Sequence, residues 1–137
     1  MSLRDVHVGA QLEPLSRTPT EVDLFLYSAA LGTAHRIHYD RDFARNVDCL
    51  PDILVHGPLQ SAYLSDFCCA WAASVGGRLT SLEYRHIATA AVGRTLTCHG
   101  EVAGVGDDGI VTLAVRVEAD PGAETTTVGT AVIRCPA

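Results

Sequence analysis

The longest apolar stretch of the chain, residues 56–77, repeats with the period of a helix. Leucine, alanine, cysteine and aromatic side chains recur every three to four residues and cover almost the whole helical surface. Pro58 lies near the first helical position, and Gly76 and Gly77 supply an end. The pattern therefore predicts a helix from about Pro58 to Val75 that other elements enclose.

The chain after this helix alternates between apolar and polar residues with the period of a β-strand. Turn signals at Asp107-Asp108-Gly109 and Asp120-Pro121-Gly122 divide it, and the segment from Thr125 to Cys135 is rich in β-branched residues. An antiparallel meander packed on a helix is an α+β arrangement. The positions that define the alternation are Leu82, Tyr84 and His86, then Leu96, Cys98 and Val102, then Val111, Leu113, Val115 and Val117.

A further helix is indicated near the start of the chain. Thr18 is predicted to cap it, with Pro19 at the first helical position and Glu21 three residues after the cap. Gly32 is the predicted end. The residues that recur at helical spacing predict one apolar face, made of Val22, Phe25, Leu26, Ala29 and Ala30.

Length and charge narrow the class of protein. The 137 residues fit a single domain, which we take to span residues 1–137. The net charge is −6, and all ten basic residues are arginines scattered along the chain. Nucleic-acid binding needs a basic patch, so this distribution argues against it. Arginine nevertheless pairs well with phosphate, so a small phosphorylated ligand such as CoA remains compatible.

The first residues and the cysteines both predict a reducing compartment. The first residues lack a secretory signal pattern, and no apolar run approaches the length of a membrane span, so we expect a soluble cytoplasmic protein that does not bind membranes. The cysteines are odd in number and form no CxxC pair, which predicts reduced and mostly buried thiols. They are Cys49, Cys68, Cys69, Cys98 and Cys135.

Two segments, LFLYSAALGTAHRIHYDRDFAR and VHGPLQSAYL, carry a family resemblance. With them the chain resembles the MaoC-like and FAS1-like dehydratases, a group that includes (R)-specific enoyl-CoA hydratases and type 2 hydroxyacyl-thioester dehydratases. The resemblance implies a hot-dog fold, in which an antiparallel sheet wraps a long central helix. It also implies a homodimer or higher homo-oligomer, with the acyl tunnel along the subunit interface; a heterodimer is an alternative.

The same resemblance implies a reaction. Water is added or removed across C2–C3 of a 2-enoyl or 3-hydroxyacyl thioester, carried by CoA or by acyl carrier protein. No separate cofactor is expected, because CoA or phosphopantetheine arrives as part of the substrate. The resemblance therefore implies that the chain is an enzyme of the hydro-lyase class.

His38 and Gly57 are the leading catalytic candidates that the resemblance implies. Imidazole titrates near neutrality, so His38 is suited to accept and donate a proton. The N–H of Gly57, at the start of the long helix, is suited to polarise the thioester carbonyl. The structural alternatives are a histidine hydrogen-bonded in a loop and a glycine that simply permits a sharp turn.

One position departs from the family pattern. Typical (R)-hydratases have an aspartate five residues before the histidine, and this chain has Thr33 there. A hydroxyl is no general base near neutral pH, so Thr33 is expected to position water or a substrate hydroxyl, or the site is weakened or inactive. His35 lies where the family has asparagine, and it either assists His38, contacts substrate or holds the loop.

Four residues are secondary candidates. Asp40 could orient His38, but it is better explained as the cap of a short helix through Arg45. His56 precedes Gly57 at the start of the long helix. Arg36 and Arg85 are candidates for substrate phosphate or pantetheine, with plain solvent exposure as the alternative.

Other functions remain open at this stage. A catalytically degenerate hot-dog subunit could bind acyl thioesters or complete a heterodimer. Thioester hydrolysis would depend on Asp66 of the long helix, since some hot-dog thioesterases use a carboxylate there. A metal site is not predicted, because no histidine pair comes with a further ligand set. The histidines in question include His7, His86 and His99.

Overall fold

The computed structural model describes residues 5–136. Four helical segments precede most of the sheet along the chain, and the fifth strand is the last element. In chain order the elements are β1 (Leu15–Arg17), α1 (Glu21–Leu31), a 3₁₀-helix (Arg36–His38), α2 (Arg41–Asn46), α3 (Gly57–Ser74), β2 (Arg78–His86), β3 (Leu96–Val105), β4 (Ile110–Ala119) and β5 (Glu124–Arg134).

The five strands form one antiparallel sheet in the order β1-β3-β4-β5-β2. Tight connections join β3 to β4 and β4 to β5 at the two turn signals found in the sequence. The connection from β2 to β3 is longer, and β2 pairs with β5 at the far edge instead of with β3. The expected α+β hot-dog architecture, a sheet packed on a long helix, is confirmed.

The core lies between α3 and the inner face of the sheet. Every second residue of β4 from Val111 to Ala119 is buried, as the period-two pattern requires. Gly100 of β3 allows close packing, since a Cβ there would lie 2.9 Å from the ring of Phe67. The largest buried side chains of this layer include Leu64, Leu96, Val102, Leu113, Val117 and Ile133.

Helix α3 matches its predicted bounds within one residue, but it is not enclosed on every side. The sheet covers the face that carries Leu64, Phe67 and Cys68. Cys69 and Ala70 are exposed on the opposite face. The sheet thus wraps one side of the helix, and small residues lie on the exposed side.

Helix α1 corrects two expectations. Its N-cap is Thr20, not Thr18: the Thr20 hydroxyl accepts a hydrogen bond from the Asp23 N–H, and the Asp23 carboxylate accepts one from the Thr20 N–H. Gly32 ends the helix in the left-handed region, as predicted. The buried residues are Leu24 and Ser28, one turn apart.

The face predicted to be apolar is therefore the exposed one. Val22 is 64% exposed, and Phe25 and Leu26 are each 59% exposed. The sequence pattern is ambiguous here, because α1 is apolar on more than one side and periodicity does not decide which stripe meets the core. Tertiary packing selects Leu24.

Three smaller features complete the fold. Strand β1 was not predicted; it is only three residues long and is formed by pairing with β3, where Leu15 faces Cys98. Cys68, Cys98 and Cys135 are buried free thiols, whereas Cys49 and Cys69 are exposed free thiols. Within residues 5–136, no helix has the length and apolar character needed to span a membrane.

Candidate active site

His38 is the last residue of the 3₁₀-helix between α1 and α2, and it is half-buried. Its Nδ1 lies 2.8 Å from the carbonyl oxygen of Leu54. A carbonyl only accepts hydrogen bonds, so Nδ1 carries the proton and Nε2 of the neutral ring keeps its lone pair. This is the tautomer that a general base needs.

Burial lowers the pKa of His38, and the nearby His35 lowers it further, while the hydrogen bond to Leu54 opposes the shift. A pKa below the ordinary value leaves the ring neutral at pH 7. His38 is therefore able to accept a proton at Nε2 under physiological conditions.

His56 is stacked on His38. The two ring centroids lie 3.8 Å apart with an angle of 19° between the planes. The Tyr27 ring packs edge-on against His56, with the two ring centroids 5.0 Å apart. His56 Nε2 also lies 2.8 Å from Ser28 Oγ of α1. His56 is 1% exposed, so this ring is a fixed part of the floor beneath His38.

Burial lowers the pKa of His56 to about 4, and charge on His38 disfavours its protonation further. Its Nδ1 is buried without a hydrogen-bond partner among the described residues. A neutral His56 can stack on His38 without adding charge to it.

Gly57 begins α3 directly after His56. The N–H groups of the first helical turn have no acceptor within the helix, and they lie at the positive end of the helix dipole. Because consecutive Cα atoms are about 3.8 Å apart, the ring stack brings His38 next to this helix start. The structure thus places the two leading candidates, His38 and Gly57, in one region.

A side chain at position 57 would meet His86, the last residue of β2. A Cβ there would lie 3.0 Å from both Cδ2 and Nε2 of His86. From the sequence, His86 was predicted to lie on a strand and was weighed as a metal ligand, but it was not predicted as a site residue. The place of His86 in the alternating pattern of β2 is visible in the sequence, but its contact with Gly57 is visible only in the folded structure.

Thr33 and His35 lie at the margin of this region. The N–H of Thr33 donates to the Ser28 carbonyl at 3.0 Å, which ends α1, and Thr33 lines a cavity of about 250 Å³ together with Phe25 and Tyr39. His35 is exposed, with its ring centroid 5.9 Å from that of His38. Their roles in positioning water or hydroxyl remain predictions.

Asp40 is the N-cap of α2, as expected. Its Oδ1 accepts a hydrogen bond from the Phe43 N–H at 3.0 Å, and its Oδ2 lies 2.6 Å from Nη2 of Arg36. The cap bond, followed by Arg36, lowers the pKa of Asp40. Arg36 also lies over the Phe43 ring at 4.3 Å, so local contacts hold this guanidinium. Arg85 is exposed on β2.

The carboxylate on which a thioesterase would depend is remote from the helix start. Asp66 is exposed, and it lies nine residues after Gly57 on the same helix, which is about 13 Å along the axis. His99 Nε2, on β3, lies 3.2 Å from the Glu118 carboxylate of β4. Within residues 5–136 no cluster of three or more metal-ligating side chains occurs.

Fold and site together define a hot-dog domain in which a neutral histidine lies beside the amide-bearing start of the central helix. The model of one family, hydroxyacyl-thioester dehydratase type 2, matches residues 9–92, which include His38 and Gly57. The chain belongs to this family. The resemblance seen in the sequence is therefore confirmed.

A curated relative supports the same assignment over a short segment. It is a mesaconyl-C(4)-CoA hydratase from Chloroflexus aurantiacus, 46% identical over 43 residues, which is 31% of this chain. The match covers only 15% of that relative, which is a much longer protein.

Solved structures match the fold over nearly the whole chain. An (R)-hydratase from A. caviae involved in PHA biosynthesis has a TM-score of 0.86 at 22% identity, covering 97% of this chain and 99% of that one. An R-hydratase from Pseudomonas aeruginosa has a TM-score of 0.83 at 24% identity, covering 97% and 84%. The ChsH1-ChsH2 complex from Mycobacterium tuberculosis has a TM-score of 0.80 at 22% identity, covering 95% and 98%.

Proposed function

We propose that the chain is an acyl-thioester hydratase/dehydratase that adds or removes water across C2–C3 of an enoyl or 3-hydroxyacyl thioester. The observation that carries the proposal is the position of His38, whose Nδ1 is bonded to Leu54, so that Nε2 of the neutral ring keeps its lone pair, while the ring stacks on the residue before Gly57. Membership of a dehydratase family supports it independently.

In the hydration direction His38 Nε2 removes a proton from water as the oxygen attacks C3 of the enoyl group. The C2–C3 π electrons move through C2 onto the thioester oxygen, and the Gly57 N–H stabilises the resulting negative charge. The enolate then returns its electrons, and C2 takes the proton held on His38. Dehydration is the same path in reverse, with His38 first removing the C2 proton.

Thr33 replaces the acidic partner of typical (R)-hydratases. Its hydroxyl is able to hold a water or a substrate hydroxyl in place but not to accept a proton near pH 7. His38 is therefore the single base of the proposed mechanism. His35 and Thr33 position the reacting oxygen.

Substrate delivery and assembly follow the same proposal. The acyl group arrives on CoA or acyl carrier protein, with Arg85 and, after release from Asp40, Arg36 available to phosphate. We expect a cytoplasmic protein. We also expect a homodimer or higher homo-oligomer, because a subunit interface would bury exposed apolar residues such as Phe25 and Leu26.

A second candidate is a subunit that completes a heterodimer and binds acyl thioesters without acting alone. Two observations favour it: the non-ionising Thr33, and structural neighbours that are two-component complexes, ChsH1-ChsH2 and HadBC. Activity that appears only after a co-purified partner is added would support this reading against the first.

The test is an absorbance assay of purified protein with crotonyl-CoA and longer enoyl-CoAs. Wild type should consume the enoyl band, and His38→Ala should lose activity by about 10³-fold. His99→Ala, which removes a histidine outside the site, is the matched control and should retain turnover. Inactive wild type, or undiminished turnover by His38→Ala, contradicts the proposal, and release of free thiol would indicate hydrolysis through Asp66 instead.

A further inference from the structure

His86 reaches the start of α3 from the end of β2, an element that the proposed mechanism does not use. Its ring packs against the α-carbon of Gly57, with Nε2 3.0 Å from the point where a Cβ would lie. The Val55 N–H donates to the Ala90 carbonyl at 2.8 Å, which ties the segment before α3 to the segment after β2. The contact between His86 and Gly57 is thus built into the fold.

The two donors are close enough to share one acceptor. Since a Cβ is two bonds from the amide nitrogen, Nε2 of His86 lies within about 5.5 Å of the Gly57 nitrogen. Two donors that each stand about 2.9 Å from one oxygen are at most about 5.8 Å apart. The separation of the two donors therefore permits one carbonyl oxygen to lie within hydrogen-bond distance of both.

The hydrogen bonds around the Thr127 hydroxyl favour one tautomer of His86. His86 Nδ1 lies 2.9 Å from the Thr127 hydroxyl, and the same hydroxyl is also placed to donate to Gln60 Oε1, at 3.4 Å. That amide oxygen already accepts a hydrogen bond from Thr126 at 2.7 Å. Donation from the Thr127 hydroxyl to His86 Nδ1 is the shorter of its two possible hydrogen bonds. When Nδ1 accepts this hydrogen bond, the proton of the neutral ring lies on Nε2.

Nε2 is also available to a ligand. Within residues 5–136 the hydrogen bonding of the His86 side chain engages Nδ1 alone, and the residue is exposed at the end of β2. Burial of part of the ring lowers its pKa, so the neutral form, with one N–H, prevails at pH 7. A neutral His86 donates a hydrogen bond to a carbonyl oxygen and adds no positive charge that would disfavour protonation of His38.

We infer that His86 Nε2–H is a second hydrogen-bond donor to the thioester carbonyl oxygen, acting beside the Gly57 amide. The inference rests on the proposed function and adds to it a catalytic residue that touches the substrate. It also gives a reason for glycine at position 57, because a Cβ there would crowd the imidazole at 3.0 Å.

Two substitutions separate the donor from the ring. His86→Phe keeps a ring against Gly57 but removes the donor, and we expect kcat to fall about 100-fold with KM changed by less than about threefold. His86→Gln places an amide N–H near the position of Nε2 and should recover about tenfold of that loss. His99→Phe, a histidine-to-phenylalanine change elsewhere on the sheet, is the control and should leave kcat unchanged. Thermal unfolding verifies that each variant folds.

A second measurement does not depend on turnover. Butyryl-CoA has no C2–C3 double bond to hydrate, and the infrared stretch of its thioester carbonyl reports hydrogen bonds to the bound oxygen. Wild type should lower that frequency more than His86→Phe does, and His86→Gln should restore the difference. A wild type that binds butyryl-CoA but never hydrates crotonyl-CoA contradicts the proposed function and still tests His86.

The inference itself is overturned by folded His86→Phe with unchanged kcat, or with the wild-type carbonyl frequency. Failure of wild type to bind any acyl-CoA would overturn both proposals together. A loss in His86→Phe that His86→Gln does not relieve in either measurement also contradicts a donor role and indicates packing alone.

Discussion

Two imidazoles, His38 and His86, approach the start of α3 from different elements, and each is held through Nδ1. His38 rests on the backbone carbonyl of Leu54, whereas His86 rests on the hydroxyl of Thr127. A carbonyl accepts only, so it forces the proton onto Nδ1 of His38 and makes Nε2 a base. A hydroxyl donates or accepts, so it allows His86 the opposite tautomer, with Nε2 as a donor. The anchoring atom, not the residue type, sets the chemistry.

The largest expected effect tests the base. His38→Asn keeps an amide donor for the Leu54 carbonyl but provides no basic nitrogen, so kcat for crotonyl-CoA hydration should fall about 10³-fold while the protein stays folded. Steady-state kinetics and circular dichroism make the measurement. His99→Asn is the control. If His38→Asn keeps a tenth or more of wild-type kcat, His38 is not the base.

The next effect tests the contact between Gly57 and His86. Gly57→Ala places a Cβ 3.0 Å from the imidazole, which must give way by a few tenths of an ångström and so loses its alignment with the carbonyl oxygen; we expect kcat/KM to fall about 100-fold. The crowding should also lower the free energy of unfolding by about 1–3 kcal/mol.

Adding His86→Ala to Gly57→Ala removes the crowded ring. Urea unfolding of the two single variants and the double variant gives a coupling energy, and the double variant should recover most of the stability that Gly57→Ala loses. Additive losses would show that the two residues do not touch in the folded protein.

The third effect concerns the floor beneath His38. Burial lowers the pKa of His56 from 6.5 to about 4, so the unfolded chain takes up a proton on this ring at higher pH than the folded protein does. Stability from this group is present above pH 6.5 and is lost as the pH falls toward 4.

Between pH 7.5 and pH 5 we expect wild type to lose about 2 kcal/mol more free energy of unfolding than His56→Phe, which stacks on His38 but does not titrate. Urea unfolding at both pH values makes the comparison, and the histidines that do not contact His56 cancel in the difference. Equal losses for the two proteins would contradict a depressed pKa at His56.

The smallest effect tests the hydroxyl anchor. Thr127→Val removes the partner of His86 Nδ1, and since such a bond contributes about 1 kcal/mol, kcat should fall about fivefold. Thr125→Val on the same strand is the control for a lost hydroxyl. A Thr127→Val enzyme with wild-type kcat would show that the Thr127 hydroxyl does not set the His86 tautomer.

Local patterns explain which expectations succeeded. The bounds of α3 and the strands β3 to β5 follow from periodicity, proline, glycine and turn residues, all of which act within a few residues. The Asp40 cap succeeded for the same reason. The N-cap of α1 was misplaced by two residues because Thr18 and Thr20 both precede acidic residues, and the contact that chooses Thr20 is its exchange of hydrogen bonds with Asp23.

Features that depend on contacts between distant residues were missed or misassigned from the sequence. Strand β1 exists only through pairing with β3, and the buried stripe of α1 is chosen by what packs on it. The catalytic pair His38 and Gly57 came from family resemblance, because nothing local in either segment indicates that the two meet. His86 was missed as a site residue for that reason.

By itself the sequence determined one long helix, an antiparallel meander and the family to which the chain belongs. Those features depend on side-chain period and short motifs, which are written along the chain. Only the tertiary structure decided that His38 stacks on His56 and that His86 packs against Gly57. Such pairs join residues 18 and 29 positions apart, so their contact is a property of packing and not of any local pattern.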